Sequence, residues 1–266
     1  MRRAALARWP HWSWLLWIAY AAVLAVLELL LPHQTQNPTY HAFADTRQWL
    51  GIPRFGDVAS NLAILAAGLA GLAVVRRRQE PSRDVAVVQA VFFAGIVFTA
   101  FGSAYYHWAP DSARLVWDRL PIGLVTACFP AFVLVDRTSL TRPSRWALWA
   151  WLAWGLLSVL YWRLGDAEGA GNLRPYSLMK LYGISSCLVL LGLLARRHTF
   201  GALYVVGIAL YVLAGIAEAR DTQIYGFTGW ISGHTLKHLL AALGVAALVG
   251  MVAWRRALPN LGNRDS

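Results

Sequence analysis

Residues 85–107 read VAVVQAVFFAGIVFTAFGSAYYH, a run of 23 positions without an acid, a lysine or an arginine. A helix crosses the hydrocarbon core of a bilayer with roughly 20 apolar residues, so this stretch is long enough to span one. Seven more stretches of similar character lie along the chain, at about 12–31, 57–75, 116–135, 146–164, 177–195, 201–219 and 231–254. Arginines stand between them. The 266 residues are 58% hydrophobic and 14% charged, against roughly a quarter charged in soluble domains. That balance excludes an ordinary soluble enzyme. The fold expected is all-α, a polytopic membrane helix bundle forming a single transmembrane domain.

The net charge of +11 raises the question of a nucleic-acid partner. The basic residues are spread between apolar runs rather than gathered in one patch with stacking aromatics, so no nucleic-acid binding is expected. Cys128 and Cys187 sit inside apolar stretches and supply neither a disulfide framework nor a thiolate zinc site. The first run follows Arg2, Arg3 and Arg8 but is long for a signal peptide. The residues after it, Pro32-His33-Gln34-Thr35, offer no small-residue cleavage site, so an uncleaved anchor is expected.

Orientation follows from the basic residues, which are retained on the cytoplasmic side. With the N-terminus inside, fifteen of the 24 basic residues fall in cytoplasmic segments: Arg2, Arg3, Arg8, Arg76, Arg77, Arg78, Arg83, Arg137, Arg142, Arg145, Arg196, Arg197, Arg255, Arg256 and Arg264. Both termini are then cytoplasmic, and the polar stretches 32–56 and 165–176 lie outside. Tryptophans fit this arrangement, because indole favours the headgroup level: Trp12, Trp14 and Trp17 open the first span, Trp108 and Trp117 flank the turn after the third, and Trp230 and Trp254 flank the last. Trp146, Trp149, Trp151 and Trp154 read as lipid-facing bulk.

Ionisable and polar groups inside spans are costly and mark sites or buried pairs. Span three ends Phe101-Gly-Ser103-Ala-Tyr-Tyr-His107-Trp-Ala-Pro110, with Ser103 and His107 on one helix face at i and i+4. Span four opens Leu115-Val-Trp-Asp118-Arg-Leu-Pro121. Span eight opens Ser232-Gly-His234-Thr-Leu-Lys-His238, again with two imidazoles on one face. The topology puts all three elements on the outer side, although the arginine count used none of them. Three neutral imidazoles suit tetrahedral Zn²⁺ and leave a fourth position open, which distinguishes a catalytic from a structural site. His107, His234 and His238 are therefore the expected metal ligands. Zinc lowers the pKa of its water toward about 7, and Asp118 is placed as the general base. Ser103 is placed to bond that water or to donate to an oxyanion.

Glu28, Lys180, Glu218 and Lys237 read as side chains snorkelling to the interface, with Lys237 directed away from the ligand face. Asp57 and Asn61 read as capping the start of span two, the other reading being that they extend the polar pocket. His11, His33, His41 and His198 fall at span edges or in loops and read as solvated. Two other readings stay open at this point: a zinc-bearing lipid receptor or binding protein without turnover, and a scaffold whose histidines bond between helices.

Ser103-x-x-x-His107, Asp118 and Gly233-His234-x-x-x-His238-Leu239-Leu240, with eleven residues from His107 to Asp118, resemble the signature of the alkaline ceramidase family. That family belongs to a superfamily of seven-span zinc hydrolases that includes the adiponectin-type receptors. Phe55-Gly-Asp-Val-Ala-Ser60-Asn61-Leu62 also resembles the family's first-helix entry, and the likeness runs from about residue 52 to 250. The resemblance implies a bacterial-type member of the cytoplasmic membrane, cleaving a ceramide-like N-acyl lipid to a fatty acid and an amine, with its site toward the periplasm. It implies His107, His234 and His238 as zinc ligands, Asp118 as base and Ser103 as oxyanion or water partner. Residues 1–50 would then be an added anchor helix and outer loop, 51–255 the seven-helix core and 256–266 a cytoplasmic tail. Where the eukaryotic ceramidases carry an acidic calcium cluster, this chain has Asp45-Thr-Arg47 and Ile52-Pro-Arg54-Phe55, so calcium regulation of that kind is not expected.

Overall fold

The computed structural model describes residues 11–78, 80, 82–138, 141–194 and 196–258, with side chains left undescribed at 11–18, 21, 25 and 141–147. Arg2, Arg3, Arg8 and Arg264 of the orientation count lie outside these residues, as do the side chains of Arg142, Arg145, His11, Trp12, Trp14, Trp17 and Trp146. The elements are α1 (His11–Leu30), a 3₁₀ turn (Pro38–His41), α2 (Phe55–Ala59), α3 (Asn61–Arg77), α4 (Arg83–Trp108), α5 (Ser112–Arg137), α6 (Thr141–Ala167), α7 (Arg174–Leu193), α8 (Ala202–Ala219), α9 (Asp221–Thr228) and α10 (Gly233–Trp254). Among the described residues there is no strand beyond isolated bridges at Trp49–Ile52 and His198–Ala257.

The protein is an all-α polytopic membrane bundle. The joined α2–α3 segment and α4, α5, α7, α8 and α10 are each long and apolar enough to cross a membrane, and every expected span coincides with a helix to within a few residues. The short α9 and the 3₁₀ turn fall where loops were expected. Helix α5 is the central one: from Thr126 to Arg137 every residue is buried. It packs against α4, α6 and α7, while α10 packs against α3 and α8. Phe92, Phe93, Phe129, Phe132 and Tyr204 form the aromatic middle of the core. Helix α1 lies against α7, where Tyr20 stacks on Tyr182 at 5.3 Å and Arg174 bonds Glu28 at 3.1 Å. Arg174 thus gives Glu28 a partner inside the protein.

Two prolines inside α5 explain how closely its neighbours approach. A proline at position i has no N–H for the carbonyl at i−4, so Pro121 and Pro130 free the carbonyls of Trp117 and Thr126. Each freed oxygen faces a glycine on an adjacent helix: a Cβ on Gly102 of α4 would overlap the Trp117 oxygen, and one on Gly183 of α7 would overlap that of Thr126. Gly102 precedes Ser103 and Trp117 precedes Asp118, so this contact also sets the spacing of two candidate site residues.

At the bundle end remote from His107, His234 and His238, Arg255 joins Asp136 at 2.7 Å and Glu80 at 2.5 Å, all three side chains buried. His198 Nδ1 lies 3.1 Å from Asp136, so it is tied to this cluster rather than left in solvent. Cys128 and Cys187 are buried and unbridged. Trp108, Trp117, Trp230 and Trp254 are exposed at helix ends, as expected of interfacial indoles. Trp149 is exposed like lipid-facing bulk, but Trp151 donates to the Tyr182 hydroxyl at 3.2 Å and Trp154 lies 5.2 Å from the same ring.

Candidate metal centre

Three helix ends meet at one side of the bundle. Asp111 caps α5 by accepting from the Arg114 N–H at 2.7 Å, and the tight 109–111 turn returns the chain from α4 alongside itself. Ser232 caps α10 by accepting from the Thr235 N–H at 2.8 Å. A Cβ on Gly233 would overlap the Ala217 carbonyl of α8, so glycine lets these two helices close on each other next to His234.

The structure brings together the three imidazoles singled out in the sequence. His107, His234 and His238 are buried, and each offers a ligand nitrogen within 4.8 Å of the others. Their ring centroids are 4.4, 5.2 and 4.9 Å apart. Both nitrogens of His107 and Nε2 of His234 are buried without a hydrogen-bond partner. Buried polar atoms in native proteins are nearly always paired, so a group of inward-facing imidazoles with orphaned nitrogens fits a metal ion. His238 is held from behind: its Nδ1 donates to Ser60 Oγ at 2.8 Å, and Ser60 donates onward to the Asp57 carbonyl at 3.3 Å. That relay fixes the tautomer and leaves the Nε2 lone pair toward the other rings.

Ser103 and Asp118 come to the same place. Ser103 Oγ lies 3.4 Å from His238 Nε2 and also meets the Asp118 side chain. Ser103, Asp118 and His238 line a cavity of about 490 Å³. Its deep wall is apolar, including Phe92, Phe129 and Leu248, and its mouth is polar, formed partly by residues 34–37 and Tyr40. Counting about 1.5 Å per helical residue, the cavity runs roughly 15 Å along α10 from His238 to Leu248.

Several residues at the site have roles that the sequence reading assigned differently or passed over. Asp57 does not cap its own helix; its Oδ1 accepts from Ser232 at 2.8 Å and Thr235 at 2.7 Å, tying α2 to the start of α10. Asn61 donates to the Asp57 carbonyl at 2.9 Å. Lys237 and Glu218 do not snorkel away: they pair at 2.5 Å and line the cavity. Phe43, from the loop before α2, covers the triad, with its ring 4.6 Å from His107 and 4.7 Å from His234. His41 Nδ1 bonds the Tyr106 hydroxyl at 2.9 Å, and its burial lowers its pKa. His33 is exposed. The same loop is anchored by Asp45, which receives Arg47 at 2.8 and 2.9 Å; burial pushes its carboxyl up, but those bonds and charge win and hold it below its ordinary value. Asp221 fastens the loop to α10, accepting from the Ala44 and His234 N–H groups at 2.9 and 2.8 Å.

No family model matches this chain, and no curated protein matches it significantly.

Proposed function

We propose that the protein is a membrane-embedded, zinc-dependent amidohydrolase that cleaves a ceramide-like N-acyl lipid to a fatty acid and an amine. The supporting observation is the meeting of the His107, His234 and His238 nitrogens next to a cavity, polar at its mouth and apolar in its depth, that His238 lines together with Ser103 and Asp118. The resemblance of the Ser103-x-x-x-His107, Asp118 and His234-x-x-x-His238 pattern to the alkaline ceramidases favours the same chemistry. In this reading residues 51–255 are a seven-helix core with α1 added, both termini are cytoplasmic, and the site lies toward the periplasm.

His107, His234 and His238 would hold Zn²⁺, which supplies a Lewis acid and an activated water at neutral pH. The apolar wall takes the acyl chain and aligns the amide at the cavity's polar end. Asp118 accepts the proton from the attacking water and returns it to the leaving amine. The Ser103 hydroxyl donates to the carbonyl oxygen as negative charge develops on it. Phe43, lying across His107 and His234, shields the site from bulk water.

The test is incubation of purified protein with a panel of N-acyl lipids, with and without a zinc chelator, measuring released fatty acid. Chelator-sensitive release is expected. Asp118→Ala should abolish release with zinc still bound near one per chain, whereas His234→Ala should lose both. Activity retained by the Asp118 variant would defeat the assigned base, and lipid binding without release by zinc-loaded protein would leave a receptor.

A further inference from the structure

The cavity wall holds three cations, Arg119, Lys180 and Lys237, against two carboxylates, Asp118 and Glu218. Besides His238, its ionisable side chains include Asp118, Arg119, Lys180, Glu218 and Lys237. Lys237 is neutralised by Glu218 at 2.5 Å, and Asp118 stands beside Ser103. Arg119 and Lys180 have no carboxylate within ion-pair distance among the described residues.

Arg119 is 5% exposed, and its Nη1 is buried without a hydrogen-bond partner. Its Nη2 donates to Gln36 Oε1 at 2.6 Å. Three rings hold the guanidinium in place, Trp162 at 4.2 Å, Tyr40 at 5.1 Å and Tyr176 at 5.7 Å. The Lys180 ammonium lies 5.4 Å from the same Tyr176 ring, so the two cations gather around one tyrosine. Counted at about 1.5 Å per residue from the first residues of α5 and α7, both sit roughly 9–11 Å along their helices. Cations at that depth without an ion-pair partner are rare, and they mark ligand or ion paths.

We infer that the lipid taken by this cavity carries an anionic group, a carboxylate or a phosphate, on the amine side of its amide, bound by Arg119 and Lys180. The amide assignment rests on the hydrolase reading above; the anion rests on the charge geometry. The deep wall is apolar and suits the acyl chain, so the portion of the substrate between the scissile bond and the mouth is the amine. A neutral amine portion would leave both cations without an anionic partner, whereas an acidic one provides the planar or tetrahedral oxygens that a fixed guanidinium binds.

The experiment uses the full chain in non-ionic detergent and three lipids with one acyl chain: an N-acylethanolamine, an N-acylglycine and an N-acylaminoethyl phosphate. Binding of each is measured on zinc-free protein by tryptophan fluorescence, which removes the metal's own charge, and kcat/KM is measured on zinc-loaded protein. At least one anionic lipid should exceed the neutral one about tenfold in both measurements, and comparison of the two anionic lipids tells carboxylate from phosphate. Lys180→Gln should cut that anionic-to-neutral ratio about tenfold and Lys180→Arg should keep most of it; Arg119→Gln tests the second cation, with the half-buried Lys180 as the safer variant for folding. Equal binding of neutral and anionic lipids, or a ratio that neither Gln variant moves, overturns the inference. If no lipid is hydrolysed by zinc-loaded protein the amidase reading fails, while the binding ratio still decides the anion site.

Discussion

Replacement of Ser60 by alanine isolates the metal site from the chemistry proposed for it. Ser60 touches none of the inward-facing imidazole nitrogens; it acts on His238 from behind, accepting from Nδ1 at 2.8 Å and donating to the Asp57 carbonyl at 3.3 Å. Partners of this kind, which orient a ligating histidine and set its tautomer, are worth about 10–100-fold in metal affinity, or roughly 1.4–2.7 kcal/mol at 1.36 kcal/mol per decade. The zinc-free fold should lose about 1–3 kcal/mol, because the buried His238 Nδ1 is left without its partner. Zn²⁺ affinity is measured by competition with a chromogenic chelator, and folding by the thermal midpoint of the zinc-free protein in detergent. We expect Ser60→Ala to bind Zn²⁺ about 10–100-fold more weakly with a zinc-free midpoint lowered by only a few degrees, and Ser60→Thr to recover most of the affinity. Unchanged affinity in the alanine variant would refute the argument that His238 is a ligand held through Nδ1.

Phe43→Ala removes the ring lying 4.6 Å from His107 and 4.7 Å from His234, so a chelator should strip zinc at least about tenfold faster while equilibrium affinity changes less; stopped-flow metal release checks this. Gly102→Ala puts a methyl against the Trp117 carbonyl freed by Pro121, which should cost about 1–3 kcal/mol by overpacking and lower the thermal midpoint with or without metal. Asp45→Asn should cost about 1 kcal/mol, discounted because Arg47 is 43% exposed. The Asp45 carboxyl is held below its ordinary 3.8, so its stabilisation is complete above that pH and drains as pH falls through the lower folded value. The gap between wild type and Asp45→Asn in acid-unfolding curves should therefore close below about pH 3.8.

Much of the bundle was legible because membrane spans announce themselves by length and apolarity, and helix ends fell close to the arginine-bearing breaks. The imidazoles were legible because i, i+4 spacing places side chains on one face whatever the tertiary fold does. What the sequence did not reveal depends on neighbouring helices. Asp57 sits in the first turn of α2 and reads locally as a cap, but it accepts hydrogen bonds from Ser232 and Thr235 of α10. Lys237 follows His234 by three residues, and its pairing with Glu218 exists only because Gly233 lets α8 and α10 close together. Phe43 belongs to a polar loop with no periodicity to read. Arg119 directly follows Asp118 in the sequence with nothing local to mark it; its burial among three rings required α6, α7 and the 3₁₀ turn to converge on it.

The bundle meets one demand in two ways, because a polar atom in a water-poor interior needs a partner. The Trp117 and Thr126 carbonyls, freed by Pro121 and Pro130, approach glycine backbone on the adjoining helices, where Cα–H contacts are available. The imidazole nitrogens have no such contact. If the histidines were inter-helix glue, His107 and His234 would bond to a neighbour, as His238 bonds to Ser60 and His41 to Tyr106. Instead both nitrogens of His107 and Nε2 of His234 are unpaired, at about 1–3 kcal/mol for each unsatisfied group. The nearest acid on the other side, Glu218, is 3.9 Å from His234 Nδ1, beyond hydrogen-bond reach and already committed to Lys237. A cation shared by the three rings satisfies the inward nitrogens together, so this arrangement is favourable as a ligand set and costly as packing.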